Sequence, residues 1–233
     1  MNTHSKIENS VLRTPKSAID RSALRNPHSA MDCSALEDSA FRTPQSAMER
    51  LVVIAASAGG ISPLTQVISK LPQGLKAAVI VVQHLSTKRK TGLPELLDRQ
   101  SNLKVSLAED GMTLEGGHVY IAEPGKHLLV EGEMLSVVFS ARVQYVRPSA
   151  DLLFVSAAGS FGHRVIGVVL SGTGKDGSLG CVAIKVNGGV TMAQDEATAR
   201  YYGMPKNAID AGAIDHVLPP ADIVDKIVRL VSV

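Results

Sequence analysis

The chain has 233 residues, 45% of them apolar and 20% charged, the profile of a soluble globular protein with one domain and room for a tail. A formal net charge of +2 is too small to signal a nucleic-acid partner, and 3% aromatics with no Trp argue against a stacking platform for single strands. The two cysteines, Cys33 and Cys181, match no metal or redox spacing, which excludes a disulfide framework and makes a reducing cytoplasm the expected compartment.

No apolar run reaches the ~18 residues of a spanning helix, and no secretory signal opens the chain. Residues 1–48 hold eight serines but only seven Leu, Ile, Val or Phe, too few to build a core. They repeat with a period of 12: residues 5–16 read SKIENSVLRTPK, 17–28 read SAIDRSALRNPH, and 29–40 begin SAMDCSAL. Pro15, Pro27 and Pro44 interrupt any helix. A disordered, low-complexity tail over 1–48 is expected, followed by one domain over 49–233. The one hint of a docking or modification role is that Arg13, Arg25 and Arg42 each stand four positions before a Ser.

From Leu51 the pattern is α/β. Apolar runs at Leu51–Ala55, Ala77–Val82 and Val165–Leu170 suit strands buried on both faces of a parallel sheet. A helix is expected around 61–71, short strands near 104–108 and 118–122, and an antiparallel hairpin from Leu128–Val130 and Leu135–Phe139 around Glu131-Gly132-Glu133-Met134. A helix over 150–160, a helix over 178–187 and a strand over Gly189–Ala193 follow. Helical pieces at 196–202 and 205–211, a short strand near 214–218 and a helix opened by Pro219-Pro220 complete the series. Strands alternating with helices predict a doubly wound, mostly parallel sheet with helices on both faces.

Such sheets place their sites beyond the carboxyl ends of strands. The three buried runs end at Ser57, at Gln83-His84 and at Ser171-Gly172-Thr173-Gly174-Lys175-Asp176-Gly177. A Ser, a His and an Asp on one sheet edge are the inventory of acyl transfer: a hydroxyl, a base for its proton and a carboxylate to orient the base. Ala55-Ala56-Ser57-Ala58-Gly59-Gly60 is similar to a nucleophile elbow with Ala55 in place of Gly. The competing reading, a phosphate-binding loop, lacks G-x-G-x-x-G and the Gly-Lys-Ser/Thr ending. Asp176, taken alone, is expected to cap the helix that follows it. The remaining histidines form no zinc motif, so no metal is expected.

The order Ser…His…Asp and the motifs together resemble the catalytic domain of the chemotaxis protein-glutamate methylesterases, the CheB-type enzymes, over essentially all of 50–233. The carrying motifs are Ala56-Ser57-Ala58-Gly59-Gly60, Gln83-His84, Ala122-Glu123-Pro124-Gly125, Arg147-Pro148-Ser149-Ala150-Asp151 with Leu153-Phe154, the loop Ser171–Gly177, Gly203-Met204-Pro205 and Ala211-Gly212-Ala213. The resemblance implies a Ser57–His84–Asp176 triad and hydrolysis of glutamyl methyl esters on cytoplasmic helices of methyl-accepting chemoreceptors, often with deamidation of glutamines. It implies no cofactor or metal; the charge, the few aromatics and the lack of a long apolar run already argue against nucleic acid and membrane insertion. Ala58, Gly59, Gly60, Thr173 and Gly174 are the substrate or oxyanion candidates, together with backbone N–H groups near His84. Two positions depart from the family, which usually has Thr at Ala58 and often Met at Thr173. Family members commonly carry an N-terminal receiver domain, which a 48-residue tail cannot encode. Two other readings stand beside this one: an esterase or amidase of the same fold acting on another substrate, and a weakly catalytic module that binds receptors.

Overall fold

A computed structural model describes residues 48–87 and 91–232. The expected tail therefore lies outside the described residues, apart from Met48. Met48 is 4% exposed and packs in the core.

Seven strands form one parallel sheet: β1 (Arg50–Ala56), β2 (Ala77–Gln83), β3 (Lys104–Leu107), β4 (His118–Ile121), β7 (Val165–Val169), β8 (Val190–Gln194) and β9 (His216–Leu218). Their order is β3-β4-β2-β1-β7-β8-β9: from β1 the chain fills one side, reaching the edge at β3 before β4 returns between β3 and β2, and from β7 it winds outward on the other. Between the halves, β5 (His127–Glu131) and β6 (Met134–Val138) make the expected antiparallel hairpin as a separate two-stranded sheet.

The apolar runs are continuous because both faces of β1 and β2 are covered. Leu51, Val53 and Ala55 of β1, with Ala78, Ile80 and Val82 of β2, face one core. There they meet α3 (Ala150–Phe161), α4 (Ser178–Val186), α5 (Gly203–Asp210) and the hairpin. Val52, Ile54, Val79 and Val81 face the other core, against α1 (Ile61–Lys70), α2 (Leu93–Asp98) and α6 (Pro220–Val231). The period of two along each strand sends alternate side chains to opposite layers.

One expected element is absent and one unexpected element is present. Residues 196–202 are a turn and bends, not a helix. Asp195 closes a single turn by accepting the Thr198 and Ala199 amides. The Ser171 hydroxyl then accepts the Tyr201 amide, which diverts the backbone before a second turn can form. The six-residue α2 was not expected; Pro94 near its start, Glu95 in its first turn and the Thr91 hydroxyl accepting the Leu93 amide set its N-terminus.

α3 and α4 approach closely at Gly180, where a Cβ would lie 2.4 Å from Phe154 Cβ. Helix propensity favours alanine there by about 1 kcal/mol, but overpacking between two backbone-anchored atoms costs about 1–3 kcal/mol. Gly180→Ala should therefore lower stability, with a Tm depressed by roughly 2–4 °C per kcal/mol lost. Calorimetry checks this; an unchanged or higher Tm would mean that the helices separate freely.

Candidate active site

The loops after β1, β2 and β7 meet where the winding direction reverses, the place where sheets of this kind hold ligands. The Ser57 amide donates to Ser171 O at 3.0 Å, tying the first loop to the third. The His84 amide donates to Ala56 O at 3.0 Å. Gln83, buried, sends its side-chain amide to Ser57 O (2.9 Å) and His84 O (3.2 Å), so one side chain staples the Ser and His loops. Ser171 Oγ donates to Ala58 O, and Gln194 Oε1 accepts the Ser171 amide. Gly59 holds φ +69 with Ser171, Arg200 and Tyr201 atoms 3.0 Å from where a Cβ would stand, so both conformation and space require glycine.

His84 Nε2 lies 2.9 Å from Asp176 Oδ2. The carboxylate also accepts from Ser149 Oγ (2.7 Å), the Ala150 amide (2.7 Å) and the Asp151 amide (3.0 Å). Asp176 is 3% exposed. Burial pushes its pKa up, but the bonds from His84, the two amides and Ser149 outweigh burial and hold the carboxyl below its ordinary 3.8. An ionised carboxylate only accepts, so His84 Nε2 carries the proton; in the neutral imidazole this leaves the lone pair on Nδ1.

A depressed carboxylate contributes stability that is complete above its unfolded value and lost as pH falls through its folded value. The Tm gap between the wild type and Asp176→Ala should thus be constant at neutral pH and narrow once pH drops below 3.8. Thermal melts across pH 2.5–7 (roughly the window the linkage defines) test the sign; a gap that widens in acid would refute it.

Asp176 does not cap the helix that follows it. α4 begins at Gly177 with no side-chain cap of its own, and Asp176 reaches back to the N-terminus of α3. The roles of four supporting side chains were not legible in the sequence. Ser149 and Asp151 sit in the Arg147–Asp151 motif without any role legible there. His127 accepts the Ser149 amide on Nδ1 (3.1 Å) and bonds Ala141 O through Nε2 (3.0 Å), anchoring Ser149 from the hairpin. Gln83 was read as a strand end and as half of the Gln83-His84 motif, and neither shows that it ties the two loops together.

Ser57, Ala58, Gly59 and His84 line one cleft of about 890 Å³, with Arg200 on its wall. Gly60 is buried behind it, its amide donating to Ser57 O. Thr173 and Gly174 are exposed on the third loop outside that lining, and Gly174 O accepts from Asn207. His84's own amide is engaged by Ala56 O, which removes it as an oxyanion donor. A second cleft of about 670 Å³, beside β3 and walled by Glu95, Asp98 and Glu123, contains none of these residues. Among the described residues, no three His, Cys, Asp or Glu side chains gather as metal ligands.

The fold and the edge that gathers Ser57, His84 and Asp176 define a class: a doubly wound α/β protein carrying the side-chain inventory of acyl transfer. Residues 52–227 match the CheB methylesterase family, and the chain belongs to that family. A protein-glutamate methylesterase/protein-glutamine glutaminase of Pyrococcus horikoshii is 38% identical over 186 residues, 78% of this chain and 50% of that protein. Another, from Carboxydothermus hydrogenoformans, is 42% identical over 184 residues, 76% of this chain and 54% of that protein. The crystal structure of the Thermotoga maritima CheB methylesterase catalytic domain matches with a TM-score of 0.76 at 36% identity, over 78% of this chain and 98% of that one. The chain spans about half the length of the curated relatives it matches.

Proposed function

We propose that the chain hydrolyses glutamyl methyl esters on cytoplasmic helices of chemoreceptors, and deamidates glutamines there, with Ser57 as nucleophile, His84 as base and Asp176 as its orienter. The observation that carries this reading is the 2.9 Å bond from His84 Nε2 to Asp176, with His84 and Ser57 lining one cleft. The names of the relatives, protein-glutamate methylesterase/protein-glutamine glutaminase, support both halves of the activity. Among the described residues no helix is long and apolar enough to cross a membrane.

With Nε2 committed to Asp176, Nδ1 takes the Ser57 proton as Oγ attacks the ester carbonyl. The carbonyl π electrons move to oxygen, where the loop amides of Ala58 and Gly59, which line the cleft, are the candidate donors. Collapse breaks the bond to methoxide, which leaves as methanol with the proton from His84. Water then gives its proton to Nδ1 and attacks the acyl group, and glutamate is released as Ser57 regains its hydrogen. A glutamine follows the same path with ammonia as leaving group. General base catalysis of this kind is worth about 10²–10⁴-fold.

The test is methanol release from a methylated receptor fragment, comparing wild type with Ser57→Ala. Release that depends on Ser57 supports the reading. Turnover of model esters but not of receptor would favour an esterase of another substrate. Binding without turnover would favour a docking module.

A further inference from the structure

Asp151 and Asp176 cap each other's helices. Asp176, in the loop before α4, bonds the Ala150 and Asp151 amides at the start of α3. Asp151, in the first turn of α3, accepts the Gly177 and Gly180 amides at the start of α4, both at 2.9 Å through Oδ1. An ordinary cap serves its own helix; here the caps are exchanged, and neither N-terminus is satisfied without the other helix. Gly177 follows Asp176 directly and holds φ +96. The hold on its amide therefore sets how the backbone presents Asp176 to His84.

The other oxygen of Asp151 accepts Gln144 Nε2 at 2.6 Å. Gln144 (φ 47) and Tyr145 (φ 67) are the two central residues of a tight turn closed by reciprocal bonds between Val143 and Val146. Such turns favour Asn or Gly, and side chains there are strained. A glutamine held in this conformation while its side chain engages a buried carboxylate acts as a strap on Asp151.

We propose that Asp151 is a positioning residue for the reaction: by holding the Gly177 amide from α3, with Gln144 as its strap, it keeps Asp176 aligned on His84. The proposal deepens the Ser57–His84–Asp176 reading and rests on it. Asp151 touches no reacting atom; it acts through Asp176.

Two substitutions separate position from charge. Asp151→Ala removes both amide bonds. Asp151→Asn keeps an oxygen for them, and rotation of the Gln144 amide, whose Oε1 has no partner among the described residues, satisfies the new N–H. The readouts are the low-field proton resonance of His84 Nε2–H and the kcat and KM for a methylated receptor fragment. The alanine variant should lose the resonance and at least about tenfold in kcat with KM nearly constant, since small misplacements of a catalytic group cost up to about 10²-fold. The asparagine variant should keep the resonance and lose no more than about threefold. Gln144→Gly relieves the turn but gives up the bond to Asp151, two effects of similar size, so its Tm should stay within about 2–4 °C of wild type while it turns over several-fold more slowly; it decides the matter alone if Asp151→Ala does not fold.

An alanine variant with the resonance and rate of wild type, equal losses in the alanine and asparagine variants, or a Gln144→Gly variant with full kcat would each overturn the proposal. Wild-type turnover that survives Ser57→Ala would instead overturn the triad reading, while the resonance series still decides whether Asp151 places Asp176.

Discussion

Replacing Ser57 by Ala should lower methanol release from methylated receptor by about 10³-fold or more, and adding His84→Ala should lower it little further. The non-additivity is the informative part. A base has nothing to deprotonate once the hydroxyl is gone, so the second loss is already contained in the first. Ser57→Ala should also leave the Tm within about 1 kcal/mol of wild type, or about 2–4 °C. The Ser57 backbone, not its hydroxyl, makes the bonds to Ser171, Gly60 and Gln83 that hold the loop. Steady-state kinetics of the two single variants and the double variant check this. Losses that multiply would show Ser57 and His84 working on separate steps.

Asp176→Ala should behave differently, because it strikes rate and stability together. Activity should fall by about 10³–10⁴-fold, since His84 loses the partner that fixes its tautomer. Stability should fall by about 3 kcal/mol, the scale for stripping the partner from a buried, charge-assisted network. In a domain of this size that lowers Tm by about 6–12 °C. The physical cause is that the Ala150 and Asp151 amides at the N-terminus of α3, and the Ser149 hydroxyl, all end on this one carboxylate. Kinetics and calorimetry on the same preparation separate the effects. A variant that is inactive yet melts with wild type would show that α3 finds another cap, and that the network around Asp176 is not part of what holds the fold.

Sequence patterns that are local were legible. β1, β2 and β7 are apolar on both faces and announce themselves as continuous runs, and their carboxyl ends point to Ser57, His84 and the Asp176 loop before any contact is seen. What was not legible is carried by bonds between distant segments. Asp176 was expected to serve α4, its neighbour in sequence; it serves α3, because the partner amides at 150 and 151 come close only after the two helices have packed. Ser149 and Asp151 were parts of a recognisable string, but nothing in the string tells which carboxylate or amide they meet. The expected helix over 196–202 failed for the same reason: its local pattern was sound, and a hydroxyl 30 residues upstream, on Ser171, took the Tyr201 amide. His127 looked like any unmotivated histidine until the hairpin placed it under Ser149.

The pairing of β1 with β7 has a consequence for how the chain is made. Leu51 through Ala55 of β1 lie beside Val165 through Val169 of β7, so the two central strands are separated by more than about a hundred residues of chain. At about 5–20 residues per second, a ribosome completes β1 some 5–20 s before its neighbour on that side exists. During that interval β1 can pair with β2, but its other edge, Leu-Val-Val-Ile-Ala without a charge, has no strand to meet. An uncovered apolar edge of this kind is a template for pairing with other chains. The nascent half-sheet is therefore the species in which this protein is most exposed to aggregation and to capture by chaperones, and the arrival of Val165–Val169 closes that edge in the same event that brings the Asp176 loop to His84.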